Sequence, residues 1–240
     1  ANLFEAGSEG TLWWGRYNDS ARKLGTSSLL DRCHASKTCP KVVETFGSAE
    51  FWGLRASPGL IGSDAKGDLP LPAEVRRYYF PSVTHGGSWT GGFPEGGDPA
   101  PQGCALAGNA ISSMESLRAA QMMMVAWVKD GKDPLPCRYP TLAGGDLVMP
   151  DAKAMGWPAI PAAPTPTGKI NRLPMYDFGP TYHARDISGV TTFQPPRVRG
   201  QVPQRVPRVN ADGNETSGVA AVALQVPLGT HLGWNVKAGG

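Results

Sequence analysis

The sequence predicts an α/β fold built on a parallel sheet, and three features carry that reading. Two strand-like runs, Lys41-Val-Val-Glu-Thr-Phe46 and Val75-Arg-Arg-Tyr-Tyr-Phe80, are separated by a loop-like crossover, the kind of long connection that parallel strands require. One amphipathic helix, over 114–129, stands ready to cover a sheet face. Each strand also opens into a segment with a reactive side chain: Glu50 in Gly47-Ser-Ala-Glu-Phe-Trp52, and His85 in Pro81-Ser-Val-Thr-His-Gly-Gly87. Ligand chemistry in α/β proteins gathers beyond the carboxyl ends of the strands, so an acid and a histidine one crossover apart are expected to meet.

Residues 1–28 show no sustained period and read as irregular structure around the aromatic anchor Trp13-Trp14-Gly-Arg-Tyr17. The run 41–46 alternates Val42, Glu44 and Phe46 on one face. Glu44 therefore lies within the strand, whereas Glu50 follows its end, where a carboxylate can be aimed into a cleft beside Phe51 and Trp52. The crossover passes through Pro58-Gly59 and Lys66-Gly67 to Leu69-Pro-Leu-Pro72. The run 75–80, rich in aromatic and branched residues, is stopped by Pro81 and leaves His85 among glycines that let other backbone approach. Ser88 in Gly86-Gly-Ser-Trp-Thr90 misses the nucleophile-elbow pattern at Thr90, and Gly91-Gly92, Pro94 and Gly96-Gly97 leave no helix behind it.

The helix is opened by Ser112-Ser-Met-Glu115, a capping-box spacing, and closed at Gly131. Leu117, Ala120, Met124 and Trp127/Val128 form its apolar face. From 139 to 176 repeated prolines predict an extended wrap over the surface. Later short runs, 190–193, 206–209 and 219–226, read as strands, with a hairpin turn at Asp212-Gly213. Asn210, Asp212 and Asn214 imitate the start of a calcium loop, but Glu215 stands where that loop needs glycine, so the hairpin is preferred. His34, His183 and His231 lack a ligand partner nearby in sequence and read as structural. Asn18 and Asn214 each begin a glycosylation acceptor triplet too short to carry weight.

Composition bounds the function. The 31 Gly and 23 Pro in 240 residues predict much irregular connection. A formal net charge of +3 with interspersed signs gives no electrostatic footprint for nucleic acid, and Arg197 to Arg208 reads as a solvated extended segment. No apolar run approaches the roughly 18 to 20 residues of a membrane span, and Ala1-Asn-Leu-Phe-Glu5 lacks the features of a signal peptide.

Several blocks occur together in order: Leu29-Leu-Asp-Arg-Cys33, Thr38-Cys-Pro-Lys-Val42, Ser48-Ala-Glu-Phe-Trp-Gly53, Asp68-Leu-Pro-Leu-Pro72 and Thr84-His-Gly86. Further on come Tyr139-Pro-Thr-Leu142, Asp177-Phe-Gly-Pro180, Pro195-Pro-Arg197, Val209-Asn-Ala-Asp-Gly-Asn-Glu215 and Val226-Pro-Leu-Gly-Thr230 with Gly233-Trp-Asn235. These blocks resemble the last third of a bacterial-type family of secreted alpha/beta hydrolase domain-containing esterases. The resemblance implies an α/β-hydrolase-like sheet with a Pro/Gly-rich, partly β extension: residues 1–138 as the C-terminal part of the catalytic domain, 139–240 as its wrap and hairpin. It also implies a carboxylic ester hydrolase in which His85 is the base and Glu50 the acid of a Ser-His-Glu triad, with no cofactor or metal. No Gly-x-Ser-x-Gly stands in these 240 residues. The serine and the oxyanion hole are accordingly expected on an upstream half or a partner chain, and this chain alone is expected to be neither a stable monomer nor an esterase. A small ester is the expected substrate. The rival reading is a binding or structural module that keeps the hydrolase fold without its chemistry.

The cysteines fall as Cys33 and Cys39, then Cys104 and Cys137 around the helix. Local pairs in even number suggest two disulfides and an oxidising compartment, secreted or periplasmic, with free buried thiols as the alternative; the resemblance favours bridges. Their spacing does not suit zinc.

Overall fold

A computed structural model describes residues 10–88, 100–161, 163–184 and 186–239. Ala1 to Glu5, and the stretch from Thr90 to Gly97 weighed against a nucleophile elbow, lie outside the described residues. The elements run β1 (Tyr17–Asp19), β2 (Gly25–Ser27), α1 (Asp31–Ser36), β3 (Val42–Gly47), α2 (Ser48–Trp52), α3 (Pro58–Ile61), β4 (Val75–Phe80) and α4 (Met114–Asp130). They continue with β5 (Leu147–Val148), α5 (Ala152–Met155), β6 (Pro174–Asp177), β7 (Arg197–Gln201), β8 (Val206–Pro207) and α6 (Val222–Gln225). Two compact units result, each assembled from three chain segments: Ala1–Pro40, Arg55–Pro72 and Asn171–Gln204 in one, Lys41–Leu54, Ala73–Ile170 and Arg205–Gly240 in the other.

In the first unit Trp13 is completely buried, with its indole Nε1–H donating to Ser27 O at 2.8 Å and its ring edge-to-face with Tyr17. The expected anchor is thus present, but the chain around it is ordered as the antiparallel ribbon β1–β2. Buried Asp19 closes that ribbon by pairing with Arg22 at 2.6 Å and accepting from Ser63 Oγ. Antiparallel β6–β7 takes up the start of the arginine-rich segment, Arg197–Gln201, which is largely exposed although its backbone is ladder-bonded; further along the run Val202, Gln204 and Val206 are buried, so the expected solvated segment holds only for its first part. Residues 190–193, expected to be a strand, form none.

The second unit is built on β3 and β4, which pair in parallel from Val42↔Val75 to Gly47↔Phe80. Partners in a parallel pair point to the same side. One side carries Glu44 with Arg77 and Phe46 with Tyr79; the other gives Val43, Tyr78 and Phe80 to a core shared with Val83, Ile111, Leu117, Met123 and Leu224. Arg138 lies along the far side of β4, accepting from Tyr79 N–H at 2.8 Å and donating to Arg77 O at 3.0 Å.

Helix α4 fills its expected place with two corrections. The capping box does not form: Ser112 Oγ accepts from Met114 N–H at 3.1 Å, and among the described residues no bond returns from Glu115. Trp127 is buried under Lys41 and Arg76, which lie 5.1 and 4.9 Å from its ring centre, while Val128 points outward at 60% exposure. Residues 219–226 supply not a strand but the single turn α6. Its Ala-Ala-Val-Ala-Leu sequence suits a helix as well as a strand, and Leu224 gains burial in the core this way. The Asp212-Gly213 turn is present, held by Asn210 Oδ1, which accepts from the N–H groups of Asp212 and Asn214 at 3.0 Å each. Asn214 is buried and bonded through its side chain to Gly229 O and His231 N–H.

Cys33 and Cys39 are joined. The expected second bridge is absent, because Cys104 and Cys137 are free thiols engaged elsewhere: Cys104 pairs its backbone with Lys237, and Cys137 Sγ accepts from Arg77 N–H at 3.4 Å. Among the described residues no helix is long and apolar enough to cross a membrane.

Candidate active site

Glu50 sits not in an open loop but in α2, a one-turn helix that begins directly at the end of β3. Ser48, Phe51 and Trp52 are its buried side and Glu50 is its third residue. From there the carboxylate reaches back, Oε2 accepting from Gly47 N–H at 2.6 Å. That bond satisfies one of the free amides of the helix start and fixes the rotamer. Glu44, the other acid of this strand, is held by Arg77 at 2.5 Å on the sheet face.

His85 follows β4 in a turn closed by Gly87 N–H donating to Thr84 O at 2.9 Å. Gly86, third in that turn, has φ +82°, the sign that a type II turn demands and that glycine adopts without strain. Gly87 approaches Ser113 so closely that a Cβ there would meet its Oγ at 2.8 Å.

The structure brings these two side chains together: His85 Nδ1 lies 2.6 Å from Glu50 Oε1. With Nδ1–H donating to the carboxylate, Nε2 is left as the basic nitrogen. The imidazole is 76% exposed and the carboxylate 17%. The pair can therefore take a proton at Nε2 from a group arriving from outside while Glu50 holds the ring and stabilises the resulting imidazolium. Ser88 is buried, and its N–H donates to Ile111 O at 3.0 Å. His34 and His183 are exposed and belong to the first unit. Among the described residues no group of His, Cys, Asp and Glu could hold a metal ion.

Beginning at Thr84, next to His85, a cavity of about 590 Å³ runs between Leu106, Ala110, Ile160, Leu232 and Trp234. Trp234 is fixed by ring contacts with Trp52 of α2, 5.2 Å between centres, and with Trp157 at 6.1 Å. His231 also borders this cavity, and burial holds its imidazole below the usual histidine range.

Sequence reasoning assigned no role to Glu215 beyond its place in the block Val209 to Glu215 and its misfit to a calcium loop. Its carboxylate is buried and accepts three hydrogen bonds: from Ser48 Oγ at 2.6 Å on Oε1, and from Tyr79 OH and Ser82 N–H (2.6 Å) on Oε2. Burial is the largest influence and raises its pKa; the donors pull the other way. Burial, followed by the nearby Glu215 charge, likewise pushes the Tyr79 phenol well up. The signal available in sequence was slight, a lone acid returning from an Asx turn between Asn214 and Thr216.

No curated protein and no solved structure matches the chain. A family model described as alpha/beta hydrolase domain matches residues 8–240. With an acid and a histidine bonded beyond the ends of two parallel strands, and with that match spanning nearly its whole length, the chain belongs to the alpha/beta hydrolase domain family.

Proposed function

We propose that this chain provides the acid, Glu50, and the base, His85, of a Ser-His-Glu triad in a carboxylic ester hydrolase whose serine is carried by an upstream segment or a partner chain. The observation that carries the reading is the 2.6 Å contact between His85 Nδ1 and Glu50 Oε1. Family membership supports hydrolytic chemistry in general. The absence of Gly-x-Ser-x-Gly from these 240 residues supports a nucleophile carried on another segment.

In the reaction so assigned, His85 Nε2 removes the proton of the serine hydroxyl as its oxygen attacks the ester carbonyl. The imidazolium, stabilised by Glu50, then protonates the departing alcohol as the tetrahedral intermediate collapses to an acyl-enzyme. Water deprotonated by the same nitrogen releases the acid and restores the serine. Glu50 changes no covalent bond; it holds the tautomer. The predominantly apolar cavity that begins at Thr84 is suited to the substrate's hydrocarbon portion. Among the described residues β3 has a single paired neighbour, β4, and its other edge is where further strands of a hydrolase sheet would add. The Cys33–Cys39 bridge fits a secreted or periplasmic protein.

The test is co-expression of the chain with its upstream segment and assay on a chromogenic short-chain ester. Hydrolysis abolished by His85→Ala, with labelling of an upstream serine by a phosphonate, is the expected result. Hydrolysis that survives His85→Ala would refute the triad. An assembled but inactive protein would assign the chain to a binding module instead.

A further inference from the structure

Glu215 is separated by 167 residues from Ser48 and by 133 from Ser82, yet it bonds to both. Ser48 opens α2 two residues before Glu50; Ser82, at the strained φ of +57°, stands three residues before His85. One carboxylate thus ties together the starts of the two segments that carry the acid and the base. Tyr79 OH, from the next-to-last residue of β4, donates to the same oxygen as Ser82 N–H, and Glu215 returns its own N–H to Ser82 Oγ at 3.1 Å. Besides the Glu50–His85 contact itself, Ala49 N–H donates to Val83 O at 3.2 Å between the two segments. No cation pairs with Glu215 among the described residues, so its burial is met by hydroxyl and amide donors alone.

Stability is a poor account of such a group. An apolar residue of similar volume would avoid the desolvation of a buried carboxylate, whereas a carboxylate that accepts three donors fixes where those donors stand. A glutamine is isosteric but carries one acceptor oxygen: with its NH₂ toward Ser48 the hydroxyl must reverse and accept, and with its NH₂ toward Ser82 two N–H donors face each other, so one of the three bonds is lost or reversed.

We propose that Glu215 is a positioning residue for the acid and histidine pair, clamping the start of α2 to the Pro81–His85 turn so that Glu50 Oε1 and His85 Nδ1 stay in register. The inference rests on the triad reading above and adds to it a residue that touches neither reacting group.

The readout is the tautomer of His85, observed by two-bond proton–nitrogen correlation in the assembled, ¹⁵N-histidine-labelled protein and assigned by its loss in His85→Ala. The wild type is expected to hold the Nδ1–H form. Glu215→Gln is expected to admit the Nε2–H form and to lower kcat on the order of 100-fold with KM changed less than twofold, since small misplacement of a reacting group costs about that much. Far-UV circular dichroism should be unchanged. Should Glu215→Gln fail to fold, Ser48→Ala and Tyr79→Phe each remove one donor and should admit a smaller share of Nε2–H. A folded Glu215→Gln, or folded single-donor variants, with the wild-type tautomer and kcat would overturn the clamp. Glu50→Gln separates the two ideas: if it disturbs the tautomer while the Glu215 set does not, the clamp alone falls. If Glu50→Gln leaves both tautomer and activity intact, the triad reading falls.

Discussion

Replacing Glu50 by Gln changes one oxygen for an NH₂ in a site where both oxygens are used. The amide oxygen can keep the Gly47 N–H bond of 2.6 Å, which leaves the NH₂ against His85 Nδ1. Two donors then face each other unless the imidazole moves its proton to Nε2, where the base is needed. The same exchange in a serine protease triad costs about 10⁴ in kcat, or about 5.5 kcal/mol at 1.36 kcal/mol per decade. His85 is 76% exposed here, so water can replace part of the lost partner, and we expect a loss of about 10³. Stability should change by only about 1 kcal/mol, because the Gly47 bond survives as a neutral rather than charge-assisted one. Initial rates on a chromogenic ester by the assembled protein, with thermal melting of the same samples, measure both. A fall in kcat below tenfold with the fold intact would refute the assignment of Glu50 as the acid.

Trp127→Ala removes a buried indole from the junction of α4 with Lys41 and Arg76 and should cost about 3 to 5 kcal/mol in urea unfolding; a cost under 1 kcal/mol would show that the contact is dispensable. Alkylation under denaturing, non-reducing conditions should label Cys104 and Cys137 and spare Cys33 and Cys39, and Cys39→Ser should destabilise by about 2 kcal/mol, the chain-entropy value for so short a loop. Burial raises the folded pKa of Glu215 above the ordinary glutamate value of 4.5, so its contribution is fully present below that value and is lost as pH rises through the folded pKa. The stability difference between wild type and Glu215→Gln should therefore move against the wild type as pH rises from 4.5 toward neutrality, and a drift in the opposite direction in pH-dependent melts would contradict the raised pKa.

What could be read from sequence was what is local. The two parallel strands announce themselves through branched and aromatic runs ended by Gly47 and Pro81, and once they were placed the meeting of Glu50 and His85 followed from where strands end. Helix α2 was illegible because five residues are too few for a 3.6-residue period to register, so Glu50 was expected in a loop. The run 219–226 mixes alanine with valine and leucine, leaving period and propensity in conflict until burial of Leu224 decided it. Cys104 and Cys137 looked like brackets around α4, but each is committed to a different neighbour, Lys237 and Arg77. Glu215 was out of reach for a plainer reason: its partners lie more than a hundred residues away, and nothing in its neighbourhood tells a buried acid from a solvated one.

The backbone of Arg138 along β4 sets a direction for the whole sheet. Two hydrogen bonds to Arg138 occupy that flank of β4, whereas among the described residues no strand pairs with the other edge of β3. The acid follows the strand at the growing flank, whereas the histidine follows a strand that already has a neighbour on either hand. A strand added there would sit beside β3, whose end at Gly47 runs directly into the helix α2 that carries Glu50, so the sheet's seam and the carboxylate are neighbours in the chain. A substitution on the outward backbone of Val42–Gly47, such as Val43→Pro with Val43→Ala as the control for its packing on Tyr78 and Phe80, would test the joint.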